Sequence, residues 1–276
     1  MQNKLSLIIA YTHNDKDENR LIGLTALMDS IGSQTYRNFE TIVVEDLQGK
    51  ESGLFPFKNK VDKVITITDP EKRKFNKSWV MNVGARYAST DNLILIDAEI
   101  KFGKDFLQKV VDFMPGKPVF NCWSEYVCMP GRDNPNERRH YFPRTIRAMI
   151  GAWFCNKHFY FKTLGGYTEN YFGYGAEDNA VFHRIKYLHE PNDDIRNRAD
   201  FWKLSECNIP IMPYTIYHIY HHWHPADGPD PILPNDNHAT LAYEHAHPWE
   251  VIQKLRVADI GNPKHPTLID IQITRV

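Results

Sequence analysis

The chain has 276 residues, 33 basic and 34 acidic side chains for a formal net charge of −1, and 13% aromatic residues. That length holds one sizeable core, and the charge balance leaves no global field for gripping nucleic acid or an anionic membrane. No apolar run reaches the roughly 18 residues of a membrane span, and the apolar stretch near the N-terminus is too short for a signal peptide. Cys122, Cys128, Cys155 and Cys207 lack paired zinc-type spacing, so the expectation is a cytoplasmic chain with structural thiols.

In chain order, the pattern opens on the strand "KLSLIIAY" and an amphipathic helix with Leu21, Leu24, Leu27, Met28 and Ile31 on one side. The strands "FETIVVED" and "KVITIT" follow. Apolar runs without clean alternation predict burial on both faces, hence an α/β fold with a mainly parallel, Rossmann-like sheet flanked by helices. A second helix, "NKSWVMNVGARYAS", turns Trp79, Val80, Val83 and Tyr87 inward and leads into the buried strand "LILID". From Pro115 to Ile150 the pattern loosens into a long surface loop. Helical spacing returns with Val181, Phe182, Ile185 and Leu188, then two short strands around "IPIMPY" and "TIYHIYHH". The stretch "HPADGPDPILPNDNH" is too rich in Pro, Asp and Gly for regular structure and reads as a surface wrap.

Three clusters can carry chemistry. Glu45 and Asp46 end the second strand, and Asp97 and Glu99 end the fourth, at the carboxyl edge where open α/β sheets bind ligands. Alternate residues of an extended chain share a face, so Asp97 and Glu99 can hold a ribose hydroxyl and a hard divalent cation; turn formation is the ordinary alternative. Seven histidines fall between His218 and His247, and of these His221 and His224, three apart, suit a metal ion that oxygen ligation by Glu99 biases toward manganese. Glu177 and Asp178 follow an aromatic-glycine loop at a helix start, where they either stabilise the helix dipole or do chemistry. Lys72, Arg73, Lys74 and Lys77 precede the second helix and read as a solvated helix start or as pyrophosphate contacts. No phosphate-cradling glycine loop, dinucleotide fingerprint or nucleophile elbow is present.

Taken together, "LSLIIAYTHND", "SIGSQTYRNFETIVVED" and "NVGARYASTDNLILIDAEI" resemble the family 2 nucleotide-sugar glycosyltransferases of the GT-A fold. The segment "YFGYGAED" is similar to the catalytic loop of β-1,4-galactosyltransferases. The resemblance implies a domain over residues 1–225, its nucleotide-binding half at 1–115 and its acceptor half at 116–225, with 226–276 as a C-terminal extension on the same domain. It also implies that Asp178 is the catalytic base and Glu177 an acceptor ligand, with Tyr174 and Gly175 against the substrate. Tyr11, Thr12, Asp46, Asn82 and Asp97 would line the nucleotide site, and Glu99, His221 and His224 would hold Mn2+ or Mg2+. Glu99 stands where the family has a second Asp, and Tyr174 where the galactosyltransferases have Trp.

The function expected from this resemblance is metal-dependent, inverting transfer of a sugar from a UDP-sugar donor to a glycan or other hydroxyl acceptor. A retaining enzyme of the same fold, a catalytically silent sugar-nucleotide or glycan-binding protein, and a zinc hydrolase built on the histidines are the alternatives. Neither nucleic acid nor a membrane span enters the expected partners.

Overall fold

Seven consecutive buried residues make the first strand, β1 (Leu5–Tyr11), whose side chains divide between two cores. Leu5, Leu7 and Ile9 face one side of the sheet and Ile8 and Ala10 the other, as a period of two requires. Helix α1 (Glu18–Gly32) covers the first side with Leu24, Leu27, Met28 and Ile31. Strand β2 (Phe39–Asp46) is buried from Glu40 onward, β3 (Lys63–Ile67) is half-buried at the edge, and α2 (Lys77–Tyr87) covers the second side with Trp79, Val80 and Val83. Gly84 lets α2 lie directly on the sheet, since a Cβ there would stand 2.3 Å from Ile8 Cγ2. Tyr87, expected inward, is 48% exposed, because α2 ends at that residue and the chain turns extended at Ala88. The computed structural model describes residues 3–13, 18–71, 73–129, 139–141, 149–173, 175–196, 198, 209–219 and 235–269.

Beyond β4 (Asn92–Asp97) come the short β5 (Ile100–Lys101) and α3 (Phe106–Phe113). The region from Pro115 to Ile150, expected to be loop, contains β6 (Val119–Asn121), β7 (Glu125–Cys128) and β8 (Arg139–Tyr141). These strands are three or four residues long, too short to declare a period, and tertiary pairing makes them. After β9 (Ala152–Asn156) a π-helical segment, Phe159–Leu164, leads to α4 (Glu177–His189), α5 (Asp193–Arg196) and β10 (Thr215–His218). Around "IPIMPY" the described residues hold only an isolated bridge from Ile211 to Asn121. Helices α6 (Asn235–Ala246) and α7 (Pro248–Val257) close the order, so the last residues of the expected surface wrap, from Asn235, are helical.

The main sheet runs β3-β2-β1-β4-β9-β6, with β3, β2, β1 and β4 parallel and β9 antiparallel to both β4 and β6. A second sheet, β5-β10-β7-β8, stands beside its carboxyl edge, because β5 leaves β4 through a turn at Ala98 and Glu99. Helix α4 completes the second core with Val181, Phe182 and Ile185, and α6 and α7 pack on α4. No helix of the described residues is long and apolar enough to cross a membrane.

Candidate active site

The parallel strands deliver polar residues to one edge. Tyr11 and Thr12 end β1, and the Thr12 hydroxyl donates to the Asp46 carbonyl at 2.9 Å, tying the end of β1 to the end of β2. The paired acids of β2 divide their work. Glu45 is fully buried and accepts the Ser52 hydroxyl at 2.5 Å and the Gly53 amide at 2.9 Å, which folds the following loop back on the strand. Asp46 accepts the Gln48 amide on Oδ1 at 3.2 Å, while its buried Oδ2 has no hydrogen-bond partner among the described residues. Burial raises the Asp46 carboxyl to about 6, against the backbone amides of Gln48 and Asn76. A buried carboxylate oxygen without a donor is a costly arrangement unless a ligand supplies one.

Asp97 and Glu99 do not share an extended face, since the turn between them sends them apart. Asp97 Oδ2 accepts the Gly151 amide at 2.8 Å, and Oδ1 meets Lys77 Nζ at 2.7 Å. Glu99 packs instead on α1, with its Cγ 2.8 Å from where a Cβ on Gly23 would stand. Burial raises its carboxyl, with the charge of Arg20 acting in the other direction. The Glu99 carbonyl accepts the Ile219 amide at 2.8 Å, so β10 brings the chain to Glu99 two residues before His221.

The first turn of α4 supplies the other acids. Asp178 Oδ2 lies 2.7 Å and Glu177 Oε1 3.6 Å from the same Lys77 Nζ, so three carboxylates from two distant parts of the chain, β4 and the start of α4, converge on one ammonium. The Tyr167 hydroxyl donates to Asp178 Oδ1 at 3.1 Å and accepts from Trp153 Nε1 at 3.2 Å. Burial pushes Asp178 up to about 8, and the Lys77 charge opposes that rise. Burial also acts to lower the Lys77 ammonium, but Asp178, Asp97 and Glu177 overcome it and hold it well above its ordinary value. Helix α4 has no side-chain cap, and Ala176 before it is left-handed at φ 77°. The acids face across the site rather than back onto their own helix.

Of the basic run at the start of α2, Lys72 lies outside the described residues and Lys74 is exposed as a solvated helix start would be, but Arg73 and Lys77 are not. Lys77 is 16% exposed, and Arg73 donates to Asp69 at 2.7 Å while lying 4.5 Å over the Phe172 ring. Asn82 is fully buried and spent within the fold: its amide donates to the Tyr167 carbonyl at 2.9 Å and to Glu169 Oε1 at 2.8 Å. Its Oδ1 accepts the Tyr160 hydroxyl at 2.5 Å and the Tyr167 amide at 3.0 Å, so no hydrogen-bonding capacity is left for a nucleotide. Asn82 instead fixes the segment that carries Tyr167.

Gly175, at φ 90°, belongs to a loop that α6 holds from behind. The Asn237 side chain accepts the Phe172 amide and donates to the Phe172 and Gly175 carbonyls, each at 3.2 Å, and the Tyr171 hydroxyl donates to Glu244 at 3.0 Å. Sequence reasoning offered Lys77 only as a pyrophosphate contact or a solvated residue, not as the partner of these acids, and it missed Tyr167, Asn237 and Glu244. Tyr174, His221 and His224 lie outside the described residues. Among the described residues no group of three His, Cys, Asp or Glu side chains is arranged to hold a metal ion.

This strand order, with acids gathered on the carboxyl edge of its parallel half, defines a GT-A glycosyltransferase fold. More particularly, the chain belongs to glycosyl transferase family 2, whose model matches residues 9–195. Among solved structures it is similar to S. aureus TarS 1-349 in complex with UDP-GlcNAc, with 14% identity, a TM-score of 0.51, and coverage of 88% of this chain and 64% of that one. The UDP complex of the same protein gives 17% identity, a TM-score of 0.47 and coverages of 67% and 55%. TarS 1-349 itself gives 16%, 0.48, 65% and 54%. This chain thus spans between 54% and 64% of the length of these structures, and the likeness concerns the fold alone. No curated protein sequence matches it.

Proposed function

We propose that the protein transfers a sugar from a UDP-sugar to a hydroxyl of a glycan or other acceptor, with inversion and with Asp178 as the base. The observation that carries this reading is the convergence of Asp97, Glu177 and Asp178 at one edge of the sheet, beside the unmet carboxylate oxygen of Asp46. The acceptor O–H gives its proton to Asp178 as its oxygen bonds to the anomeric carbon, and the nucleotide diphosphate leaves with the electron pair of the breaking bond. Glu177 orients the acceptor, and Tyr174 and Gly175 border the sugar. The Asp46 oxygen accepts the ring N–H of uracil, next to Tyr11 and Thr12. The likeness of "YFGYGAED" to β-1,4-galactosyltransferases and the UDP-GlcNAc held by a structural neighbour support the roles of Asp178 and of a UDP-sugar.

Mn2+ or Mg2+ belongs to this reading through Glu99, His221 and His224, a mixed oxygen and nitrogen donor set that suits such an ion. The Ile219 amide bonded to the Glu99 carbonyl brings the end of β10 to the backbone of that acid, and His221 and His224 themselves lie outside the described residues. When bound, the ion supplies positive charge to the leaving diphosphate.

Thermal unfolding with a panel of UDP-sugars, with and without Mn2+, tests the donor, because a ligand of the native state raises the melting temperature. Asp178→Asn keeps the acceptor for Tyr167 while removing basicity, so it should bind UDP as the parent does and lose about 10²- to 10⁴-fold in transfer. Parent-level transfer by that variant, or a product with retained anomeric configuration, overturns the mechanism.

A further inference from the structure

The geometry points to Lys77 as the positioning residue of the base: its ammonium, with the Tyr167 hydroxyl, fixes the Asp178 carboxylate and supplies the positive charge that favours its deprotonated form. This rests on the assignment of Asp178 as the base. Lys77 Nζ takes one carboxylate oxygen at 2.7 Å and Tyr167 takes the other at 3.1 Å, so both the place and the plane of the group are set. A carboxylate has about four lone-pair positions, and two contacts leave room for an incoming hydroxyl. Tyr167 is itself immobilised, since its amide is held by Asn82 and its hydroxyl by Trp153.

Charge makes the lysine necessary as well as convenient. The groups facing Asp178 are Asp97 from β4, Glu177 from its own helix, Lys77 from α2 and Tyr167. Among these Lys77 is the cation, and both neighbouring acids act with burial to favour the protonated, useless form of the base. The same ammonium reaches Asp97, which the Gly151 amide holds at the end of β4, so the position of the base is referred to the sheet as well as to α4.

The test is carbon NMR of protein labelled in its aspartate carboxyls, with the Asp178 signal identified by its loss in Asp178→Asn. The parent should titrate above the ordinary carboxylate range. In Lys77→Met the midpoint should move up by about one to three pH units, the usual effect of a charge at this range, and in Lys77→Arg it should stay near the parent. Lys77→Gln, which keeps hydrogen bonding to the acids, should show the same upward move if Lys77→Met does not fold. The rising limb of UDP release against pH should move with the midpoint. A midpoint that stays at the parent value in both neutral variants overturns the assignment of Lys77. Absence of any UDP-dependent thermal shift in the parent would instead count against the proposed donor and leave this readout intact.

Discussion

The tie between α4 and α6 gives a sharp test of how the C-terminal helices support the site. Arg184 and Glu244 are each 1% exposed, with Arg184 Nε 3.3 Å from Glu244 Oε2, close enough for an ion pair without the alignment of a hydrogen bond. Among the described residues Arg184 has one further long contact, Nη1 to the Leu164 carbonyl at 3.5 Å, so the counter-charge it meets there is Glu244. Glu244→Gln keeps the size of the side chain and an oxygen for the Tyr171 hydroxyl, but leaves a buried guanidinium without its counter-charge. Breaking such a pair costs about 3 to 5 kcal/mol. In a chain of this size each kcal/mol moves the melting temperature by about 2 to 4 °C, so a fall of about 6 °C or more is expected. Arg184→Met combined with Glu244→Gln should be less destabilised than the two single variants added together, because the uncompensated charge is gone. Calorimetry of the four proteins measures this. A single-variant shift below about 2 °C, or strict additivity, would refute the reasoning.

Two further outcomes follow from individual side chains. Burial lifts Asp46 to about 6, so binding of uridine, which does not itself titrate in this range, should weaken as pH falls through 6 and the accepting carboxylate is lost; isothermal titration should find that dependence flattened in Asp46→Asn. Ala176→Gly should raise the unfolding free energy by up to about 1 kcal/mol in denaturant titrations, since a left-handed alanine costs about 1 to 2 kcal/mol and glycine returns part of that as chain entropy; a destabilised variant would show that the φ of 77° carries no strain.

The first half of the fold was legible because its central strands are buried on both faces. Leu5–Tyr11 and Asn92–Asp97 announce themselves as apolar runs, and α1 by its helical spacing. Helices α6 and α7 were not, and α6 shows why: "NDNHATLAYEHA" presents a weak apolar stripe, and its contacts run through buried Asn237 and Glu244. Polar residues used in this way carry no periodic signal. The site divides along the same line. Acids at strand and helix ends could be found by position, whereas the turn that parts Glu99 from Asp97, and the burial of Lys77 among three carboxylates, depend on how distant segments pack. Asn82 shows the converse case, a polar residue near that edge whose side-chain hydrogen bonds the fold uses internally.

That distinction bears on why two acids begin α4. Acids in a first turn contribute about 0.3 to 1 kcal/mol each through the helix dipole, which would be sufficient reason for them in a helix entered through an ordinary cap. Here the entrance is a left-handed alanine with no side-chain cap, and that backbone costs at least as much as one such acid returns. Both carboxylates are turned to Lys77, and Asp178 also to Tyr167, in surroundings whose burial disfavours its charged form. A helix start selected for stability would relax Ala176 to glycine and leave the acids in water. A strained turn, a desolvated acid and a shared cation kept together are what the proposed role of Asp178 as base requires, and helix stability alone does not require them.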